Sequence, residues 1–210
     1  MRRIVAIGGA VVKTAGTELK EIIKQDKVEM LIHNGGSIFH DFQLATDYTL
    51  NYIGNHSYGL DGLIEDPSVN SSASELVWKW IEGKGDAPKD SITKLCEDYA
   101  IPVLMFTSLG CDFWHLFRGS KYWAFLGEKI YDYFGDLRER LKSPFHYVCM
   151  GSAVIHPEIF TKAITGIKKP EFTADVVDFL DMYRPRTRVA KHGSYYKMTH
   201  KEYLQKWLKE

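Results

Sequence analysis

Four short runs of apolar residues stand out along the chain, at residues 3–7, 28–33, 101–106 and 146–150. None of them alternates cleanly between apolar and polar positions, as a strand with one solvated face would do. Continuous apolar strands are typical of parallel sheets that helices cover on both faces. The pattern therefore predicts an α/β fold with a doubly wound, Rossmann-like parallel sheet and helices on both faces.

The stretches between the predicted strands carry apolar residues at the spacing of amphipathic helices. The clearest of these helical patterns lie at residues 17–26, 90–99 and 121–141. Pro157 can occupy the first position of a further helix, directly after His156. Near the end of the chain, Thr199 and Glu202 have the spacing of a capping box, which predicts one more helix.

The length of 210 residues predicts a single domain over residues 1–210, with a C-terminal tail from about residue 183. The chain carries 27 basic and 27 acidic residues, and this balance gives no support for a nucleic-acid partner. No apolar run approaches the ~18 residues of a membrane span. Its three cysteines form no CxxC pair, which indicates reduced thiols, and we expect a cytoplasmic protein.

In a doubly wound fold, functional groups follow the strands at their carboxyl ends. The segments after the four predicted strands all contain glycine, and three of them contain histidine; they are residues 8–16, 34–41, 107–115 and 151–158. We expect these segments to line one crevice together.

The first two of these segments have the features of a phosphate or cofactor site. Thr14, Ala15 and Gly16 would lie at a helix N-terminus, where backbone N–H groups favour a phosphate. The glycines of this segment, and those at Gly35 and Gly36, can equally serve only to turn the chain. Both interpretations stay open from the residues alone.

Histidines and carboxylates in the same segments are candidates for proton transfer. His40 directly precedes Asp41, and on a helix the two side chains point about 100° apart, so they cannot easily face one atom. His40 can be a ligand or a satisfied polar residue. Asp112 and His115 share a face if helical, where they could hold a cationic amine, exchange protons or form a local salt link.

Several familiar site motifs are absent from the sequence. The segment GGAVVKTAG is not the dinucleotide fingerprint GxGxxG, and no Walker loop or GxSxG motif occurs. No HExxH motif is present and the cysteines lie in separate segments, so we predict no metal site. P-loop and serine-hydrolase chemistry are therefore excluded on sequence.

Four patches of the chain resemble deoxyhypusine synthase and its relatives, among them homospermidine synthase. TAGTELKEIIKQDKVEMLIHNGGSIFHDFQLA resembles the family's NAD-binding segment, in which a Ser-Ser-Gly opens a helix and a glycine turn precedes an acidic Glu-Glu-Asp. YAIPVLMFTSLGCDFWH is similar to the family's Ile-Pro-Val strand and the turn that follows it. VCMGSAVIHPEIFTKAI and MYRPRTRV resemble later segments of the relatives. The patches cover residues 14–45, 99–115, 148–164 and 182–189, in the family's order.

The resemblance implies a deoxyhypusine-synthase-like fold that binds NAD and assembles as a homodimer or homotetramer. An amine substrate would meet Asp112 and also His156. The residues that it places in the NAD pocket are Thr14, Gly16, Asn34, Gly35, Gly36, Gly151 and Ser152.

Two departures argue against deoxyhypusine synthesis itself. His40 stands where the family has the second glutamate of Glu-Glu-Asp, and the Trp-Gly-Lys motif with its imine-forming lysine is missing. Lys191 and Lys197 are the nearest lysines, but their surroundings do not match. We therefore expect an NAD-binding protein that acts on a small amine or amino acid, for example as a polyamine-type transferase, with His40 or His115 moving protons near neutral pH. The alternative is an oligomeric scaffold or nucleotide-binding module that kept the fold without catalysis.

Overall fold

Six strands form one sheet in the computed structural model, which describes residues 2–46, 67–108 and 120–210. The strands are β1 (Arg3–Ile7), β2 (Val28–Asn34), β3 (Val103–Phe106), β4 (Phe145–Met150), β5 (Phe172–Asp178) and β6 (Tyr195–Lys197). They lie in the order β3-β2-β1-β4-β5-β6, and every neighbouring pair is parallel. This order is that of the doubly wound dinucleotide-binding fold, so the predicted fold class is confirmed.

Eight α-helices in the described part of the chain connect and cover these strands. They are α1 (Gly9–Lys24), α2 (Gly35–Thr46), α3 (Pro67–Ile81), α4 (Ile92–Asp98), α5 (Ser120–Arg140), α6 (Ile155–Ile164), α7 (Tyr183–Arg188) and α8 (His200–Trp207). A short 3-10 helix lies between α7 and β6. No described helix combines the length and the apolar character that a membrane crossing requires.

Both faces of the sheet are buried, which explains why the predicted strands do not alternate. Val5 and Ile7 of β1 pack in one core cluster with residues of α1, α4 and α8. Ile4 and Ala6, which point to the other face, pack in a second cluster with residues of α5 and α6. Each position of the strand therefore needs an apolar side chain.

The end of the chain is part of the sheet, whereas the sequence predicted a tail from about residue 183. The strands β5 and β6 were not predicted. β5 carries a buried aspartate, Asp175, whose carboxylate accepts hydrogen bonds from His146 Nε2 at 3.0 Å and from the Ser194 N–H at 2.8 Å. A buried carboxylate is tolerated only when partners from elsewhere in the fold satisfy it, and the local sequence pattern does not show such partners.

Two helices begin earlier than predicted, whereas the capping box is confirmed. α1 starts at Gly9 rather than at residue 17. α6 starts at Ile155, so Pro157 is its third residue, where the missing N–H is still tolerated. Thr199 and Glu202 exchange their capping hydrogen bonds at the start of α8.

We expect the substitution Gly8→Ala to lower the free energy of unfolding by at least about 2 kcal/mol. A Cβ atom at Gly8 would lie 1.8 Å from the carbonyl oxygen of Gly151, so backbone would have to move. The φ of −92° and ψ of 170° at Gly8 suit alanine, so packing alone causes the loss. Urea unfolding of the two proteins measures the difference.

Gly127→Ala is the matched control for this substitution. Gly127 lies inside α5, and apart from its chain neighbours and the backbone of its own helix no described atom lies within 4 Å of its absent Cβ. Alanine there should raise stability by about 0.5–1 kcal/mol, because alanine favours the helix. If Gly8→Ala were as harmless as Gly127→Ala, the proposed backbone contact would be wrong.

Candidate functional site

The direction of strand order reverses between β1 and β4, and this switch point is where ligands bind in doubly wound sheets. Here the turns after the two strands touch each other. The N–H of Gly8 donates to the carbonyl of Met150 at 2.8 Å. Gly151 has a φ of +64°, in the left-handed region that favours glycine. Backbone therefore closes the floor of the crevice, and the open space lies beside it, along α1.

A kink divides α1 into two helical segments. Ala15 leaves the helical conformation, with a φ of −146° and a ψ of 16°. Gly16 therefore begins a second helical segment, whose first N–H groups lack partners within that segment. The helix N-terminus expected at residues 14–16 is present in this form, although α1 as a whole starts at Gly9.

A cavity of about 350 Å³ opens at this kink and is called the polar cavity below. Three lysines line it: Lys13, Lys20 and Lys201. Burial lowers the pKa of Lys13. Acidic side chains also line the cavity, and one of them, Glu18, lies 3.4 Å from Lys201 Nζ. The remaining lining residues are Val12, Thr14, Ala15, Gly16, Thr17, Asp41, Leu44, Ala45, Asp90 and Ile92.

A second cavity, of about 280 Å³, adjoins the first and is called the apolar cavity below. It is bounded by Ala10, Phe179, Thr199 and His200, and it shares Thr14 and Lys201 with the polar cavity. It lies between α1, the turn after β5 and the start of α8. The two cavities together offer a polar and an apolar compartment side by side at the carboxyl end of the sheet.

His40 is buried in α2 and faces the start of α1. A Cβ at Gly9 would lie 2.8 Å from His40 Cδ2, so the absence of a side chain at Gly9 lets the imidazole approach. His40 Nδ1 lies 3.2 Å from Gln43 Oε1. Burial, and then the charge of Lys13, lower the pKa of His40 to about 4. The imidazole is therefore neutral at pH 7.

The Asp41 side chain points away from that of His40 and accepts hydrogen bonds at the N-terminus of α4. Its carboxylate accepts hydrogen bonds from the N–H groups of Ile92 and Thr93, at 2.7 and 2.9 Å, and from the Thr93 hydroxyl at 2.7 Å. Burial raises the pKa of Asp41, although these three hydrogen bonds favour the charged form. The carboxylate also lines the polar cavity, so it joins the wall of that cavity to α4.

A chain of hydrogen bonds continues from Asp41 into the sheet. The Thr93 hydroxyl donates a hydrogen bond to Asp41, so His33 Nε2, at 3.3 Å, donates to the Thr93 oxygen. His33 Nδ1 is then the acceptor for the Ser37 hydroxyl, at 2.9 Å. Burial, and then the proximity of a second histidine, lower the pKa of His33 to about 3. Sequence reasoning missed this chain because Thr93 lies 52 residues from Asp41.

The histidine that lies near His33 is His156, in the first turn of α6. It is fully buried, and neither of its ring nitrogens has a hydrogen-bond partner among the described residues. Burial lowers its pKa to about 3. Within the described ranges, no three histidine, cysteine or acidic side chains converge as metal ligands would.

The structure separates the residues predicted to bind the cofactor. Thr14 and Gly16 line the polar cavity. Gly35 and Gly36 are the first two residues of α2 and are buried there, rather than forming a turn before it. Gly151 packs against the start of α1 and lines neither cavity. The cofactor-binding roles of all these glycines stay predictions.

Two further residues predicted to bind the cofactor accept hydrogen bonds from backbone N–H groups at the starts of helices. Asn34 Oδ1 accepts a hydrogen bond from the Ser37 N–H at 2.8 Å, at the start of α2. The Ser152 hydroxyl accepts one from the His156 N–H at 3.2 Å, at the start of α6. These hydrogen bonds explain why polar side chains occupy positions 34 and 152 even without a ligand.

The predicted catalytic residues are not brought together at one described point. Asp112 and His115 lie outside the described residues, so their roles stay predictions. His40 adjoins Lys13, which lines the polar cavity, whereas His156 lines neither described cavity. The lysines of the polar cavity were missed because they are spread over α1 and α8, and only the packing of these helices unites them.

Comparison with solved structures identifies proteins of the same fold. AgrE in a ternary complex with ornithine and NAD+ has a TM-score of 0.65 and 13% sequence identity over 99% of this chain. Apo ArgZ, an arginine dihydrolase from the ornithine–ammonia cycle in cyanobacteria, has a TM-score of 0.62 and 15% identity over 99% of the chain. A conserved putative LOR/SDH protein from Methanococcus maripaludis S2 has a TM-score of 0.61 and 13% identity, again over 99%.

This chain is much shorter than the proteins it matches. It spans 30% of AgrE, 29% of ArgZ and 61% of the putative LOR/SDH protein. No protein-family model matches the chain, and no curated protein does. At these identities the likeness shows the Rossmann-like fold, and the resemblance to deoxyhypusine synthase stays a prediction.

We expect Asp41→Asn to lower the free energy of unfolding by about 3 kcal/mol. The asparagine NH2 group would oppose the Ile92 N–H or the Thr93 donors, all of which need an acceptor. Asp98→Asn, at the exposed end of the same helix, is the control and should cost less than about 1 kcal/mol. Equal losses in urea unfolding would show that Asp41 does not anchor α4.

Acid should destabilise the protein through its buried histidines. An unfolded histidine binds a proton below pH ~6.5, whereas folded His156 does so only near pH 3, so stability falls as the pH drops below ~6.5. Below pH ~6.5, each such histidine lowers the free energy of unfolding by about 1.4 kcal/mol per pH unit. At pH 5 the loss amounts to about 2 kcal/mol.

His156→Leu tests this expectation by urea unfolding at pH 7.5 and pH 5. Between pH 7.5 and pH 5, the free energy of unfolding of the variant should fall by about 2 kcal/mol less than that of the unsubstituted protein. Between pH 7.5 and 8.5 neither folded nor unfolded histidine binds a proton, so the difference between the proteins should be constant there. An identical loss on acidification would mean that His156 titrates normally in the folded state.

Proposed function

We propose that the chain binds NAD at the carboxyl end of its sheet, across the polar and apolar cavities. The observation that carries this proposal is the polar cavity itself, which Lys13, Lys20 and Lys201 line together with the helix N-terminus that begins at Gly16. Ammonium groups and helix N–H groups both favour the phosphates of a dinucleotide.

Gly16 leaves room for close approach to this N-terminus. A Cβ there would meet only Ile92 Cδ1, at 3.6 Å, which is an ordinary contact, so the fold does not require glycine for packing. Because Gly16 has no side chain, the polar cavity stays open beside this N-terminus. The Thr14 hydroxyl donates a hydrogen bond to the Ala10 carbonyl at 2.7 Å. Thr14 also lines both cavities, so its backbone can contact a ligand that extends from one to the other.

The solved structures of the same fold support an amine or amino-acid substrate. AgrE holds ornithine together with NAD+, and ArgZ is an arginine dihydrolase. For the present chain we infer a small amine or amino acid as substrate, in a deoxyhypusine-synthase-like protein that does not make deoxyhypusine. When bound, NAD would supply a hydride acceptor for the carbon that carries the amine.

His40 is the described residue best placed to move protons for such a substrate. With a pKa of about 4 it is neutral at pH 7, so near neutral pH, where the sequence predicted proton transfer, it would accept a hydrogen bond and would not hold a proton. Its position over Gly9 and beside Lys13 connects it to the polar cavity. Asp112 would hold the amine as a cation, with His115 or His156 as further proton carriers.

A nucleotide-binding module or oligomeric scaffold without turnover is the second candidate. It is favoured by the burial of His40, which is 6% exposed and does not itself line either described cavity. Substituting His40 separates the two functions, because an enzyme would lose turnover while a module would keep NAD binding. Assembly into a homodimer or homotetramer and a cytoplasmic location also stay predictions.

We expect Lys201→Gln to weaken NAD binding about fivefold, because the lysine lines both cavities and would pair with a phosphate. Isothermal titration at low salt measures the dissociation constant, since salt screens an exposed charge. Lys206→Gln is the matched control: it lies on the same helix, is also exposed and lines neither cavity.

NAD at 100 times its dissociation constant should stabilise the protein by about 2.7 kcal/mol. If neither NAD+ nor NADH shifted thermal unfolding at millimolar concentration, the cofactor proposal would fail. If both lysine substitutions weakened binding equally, the site would lie elsewhere than in the polar cavity.

A further inference from the structure

A row of hydrogen-bonded polar side chains lies towards the amino end of β4 and β5, away from the polar and apolar cavities. His146 of β4 pairs in register with Thr173 of β5, and Asp175 follows two positions later on the same strand. Residues two apart on a strand point to the same face, so Thr173 and Asp175 both lie beside the His146 side chain. None of the three residues lines the polar or the apolar cavity.

The contacts of His146 determine where its ring carries a proton. Its Nε2 lies 3.0 Å from Asp175 Oδ2, and its Nδ1 lies 2.9 Å from the Thr173 hydroxyl oxygen. A carboxylate only accepts hydrogen bonds, so in the neutral imidazole Nε2 carries the proton and Nδ1 carries the lone pair. The Thr173 hydroxyl therefore donates its hydrogen bond to His146 Nδ1.

Asp175 is held from a second side by the segment that leads into β6. The residue is buried, and its Oδ1 accepts a hydrogen bond from the Ser194 N–H at 2.8 Å. A Cβ atom at Gly193 would lie 2.8 Å from the same oxygen, so this segment packs closely on the carboxylate. The hydrogen bond from His146 to this held carboxylate orients the imidazole towards Thr173.

Thr173 is the accessible end of the row. Thr173 is exposed, whereas the side chains of His146 and Asp175 are 20% and 9% exposed. The exposed Thr165 and Thr187 differ from it, because their hydroxyls donate to backbone carbonyls one turn earlier, at 2.7 and 2.9 Å. An imidazole lone pair is a base near neutral pH and a backbone carbonyl is not, so Thr173 alone of these three has a general base beside it.

A cavity of about 180 Å³ lies beside this row and is called the amino-end cavity below. His146 and Asp175 line it together with Arg3, whose guanidinium donates to the Tyr203 hydroxyl at 3.2 Å and to Glu210 Oε2 at 2.6 Å. A cationic group held in this way favours negative charge that develops on a substrate oxygen. Pockets for drug-sized ligands begin at roughly 300 Å³, so this cavity would take only a small group.

We propose that Thr173 is a nucleophile that accepts acyl groups from small esters at the amino-end cavity, with His146 as its general base and Asp175 as the positioning residue. A hydroxyl within hydrogen-bond reach of a base that a third group orients is the arrangement that activates nucleophiles in acyl transfer. Thr173 Oγ bonds to the acyl carbon while its proton passes to His146 Nδ1. The bond between the acyl carbon and the alcohol oxygen then breaks, and the proton leaves with the alcohol.

Acetylation by p-nitrophenyl acetate tests this proposal on the unsubstituted protein. The reaction is quenched in acid, and peptide mass spectrometry then locates the acetyl groups; hydroxylamine removes those on oxygen and leaves those on lysine nitrogen. We expect Thr173 to be O-acetylated at least about tenfold faster than the exposed Thr187, because only Thr173 has the general base. Equal rates at the two threonines, or no O-acetyl group on Thr173, would overturn the proposal.

The variants His146→Gln and Asp175→Asn test the two supporting side chains. His146→Gln removes the base, so acetylation of Thr173 should slow at least about tenfold while that of Thr187 stays unchanged. Asparagine at position 175 can still accept from the Ser194 N–H, but its NH2 group would face His146 Nε2, so the ring proton would move to Nδ1 and Thr173 would lose its base. Nitrogen NMR of His146 detects this change of tautomer, which a merely structural role of Asp175 would not produce.

The outcomes separate this proposal from NAD binding. Unchanged acetylation of Thr173 in His146→Gln would show that the threonine reacts without the imidazole and would overturn the proposal. If Asp175→Asn does not fold, His146→Gln and the comparison of Thr173 with Thr187 decide alone. NAD binding should be the same in His146→Gln as in the unsubstituted protein, because His146 lines neither the polar nor the apolar cavity.

Discussion

The backbone contact between the turns after β1 and β4 sets the geometry of the whole carboxyl edge. Gly8 and Gly151 approach so closely that a single Cβ on Gly8 would overlap the Gly151 carbonyl oxygen. This contact closes the crevice that a doubly wound sheet normally opens at its switch point. The start of α1 follows directly from it, and His200 of α8 packs against Gly151. The open volume is therefore displaced along α1, where the two cavities lie.

Buried polar groups hold the elements of this edge together through hydrogen bonds. Asp41 fixes the N-terminus of α4, and the hydrogen bonds through Thr93 to His33 extend that anchor into β2. Because neutral imidazoles tolerate burial better than charged ones, His33, His40 and His156 can lie inside the protein at pH 7. A preorganised wall of this kind lowers the ordering cost of binding.

The candidate site was predictable only where its residues follow one another in the chain. The sequence pointed to Thr14 and Gly16 as a helix start, and a helical segment does begin there after the kink at Ala15. It could not show that Lys201 would join them, because that lysine comes from a segment predicted as a tail. Nor could it show that Asn34 would cap a helix, since capping and ligand binding draw on the same polar atoms.

The sequence by itself determined the parallel sheet, because strands buried on both faces must be apolar at every position. It also determined the capped start of α8, since a capping box uses residues only three apart. The tertiary structure decided what depends on distant segments: the place of β5 and β6 in the sheet, the partners of Asp41, and the meeting of α1 with α8 around two cavities. Local patterns encode local hydrogen bonds and burial, whereas a binding site is formed by side chains that only packing brings together.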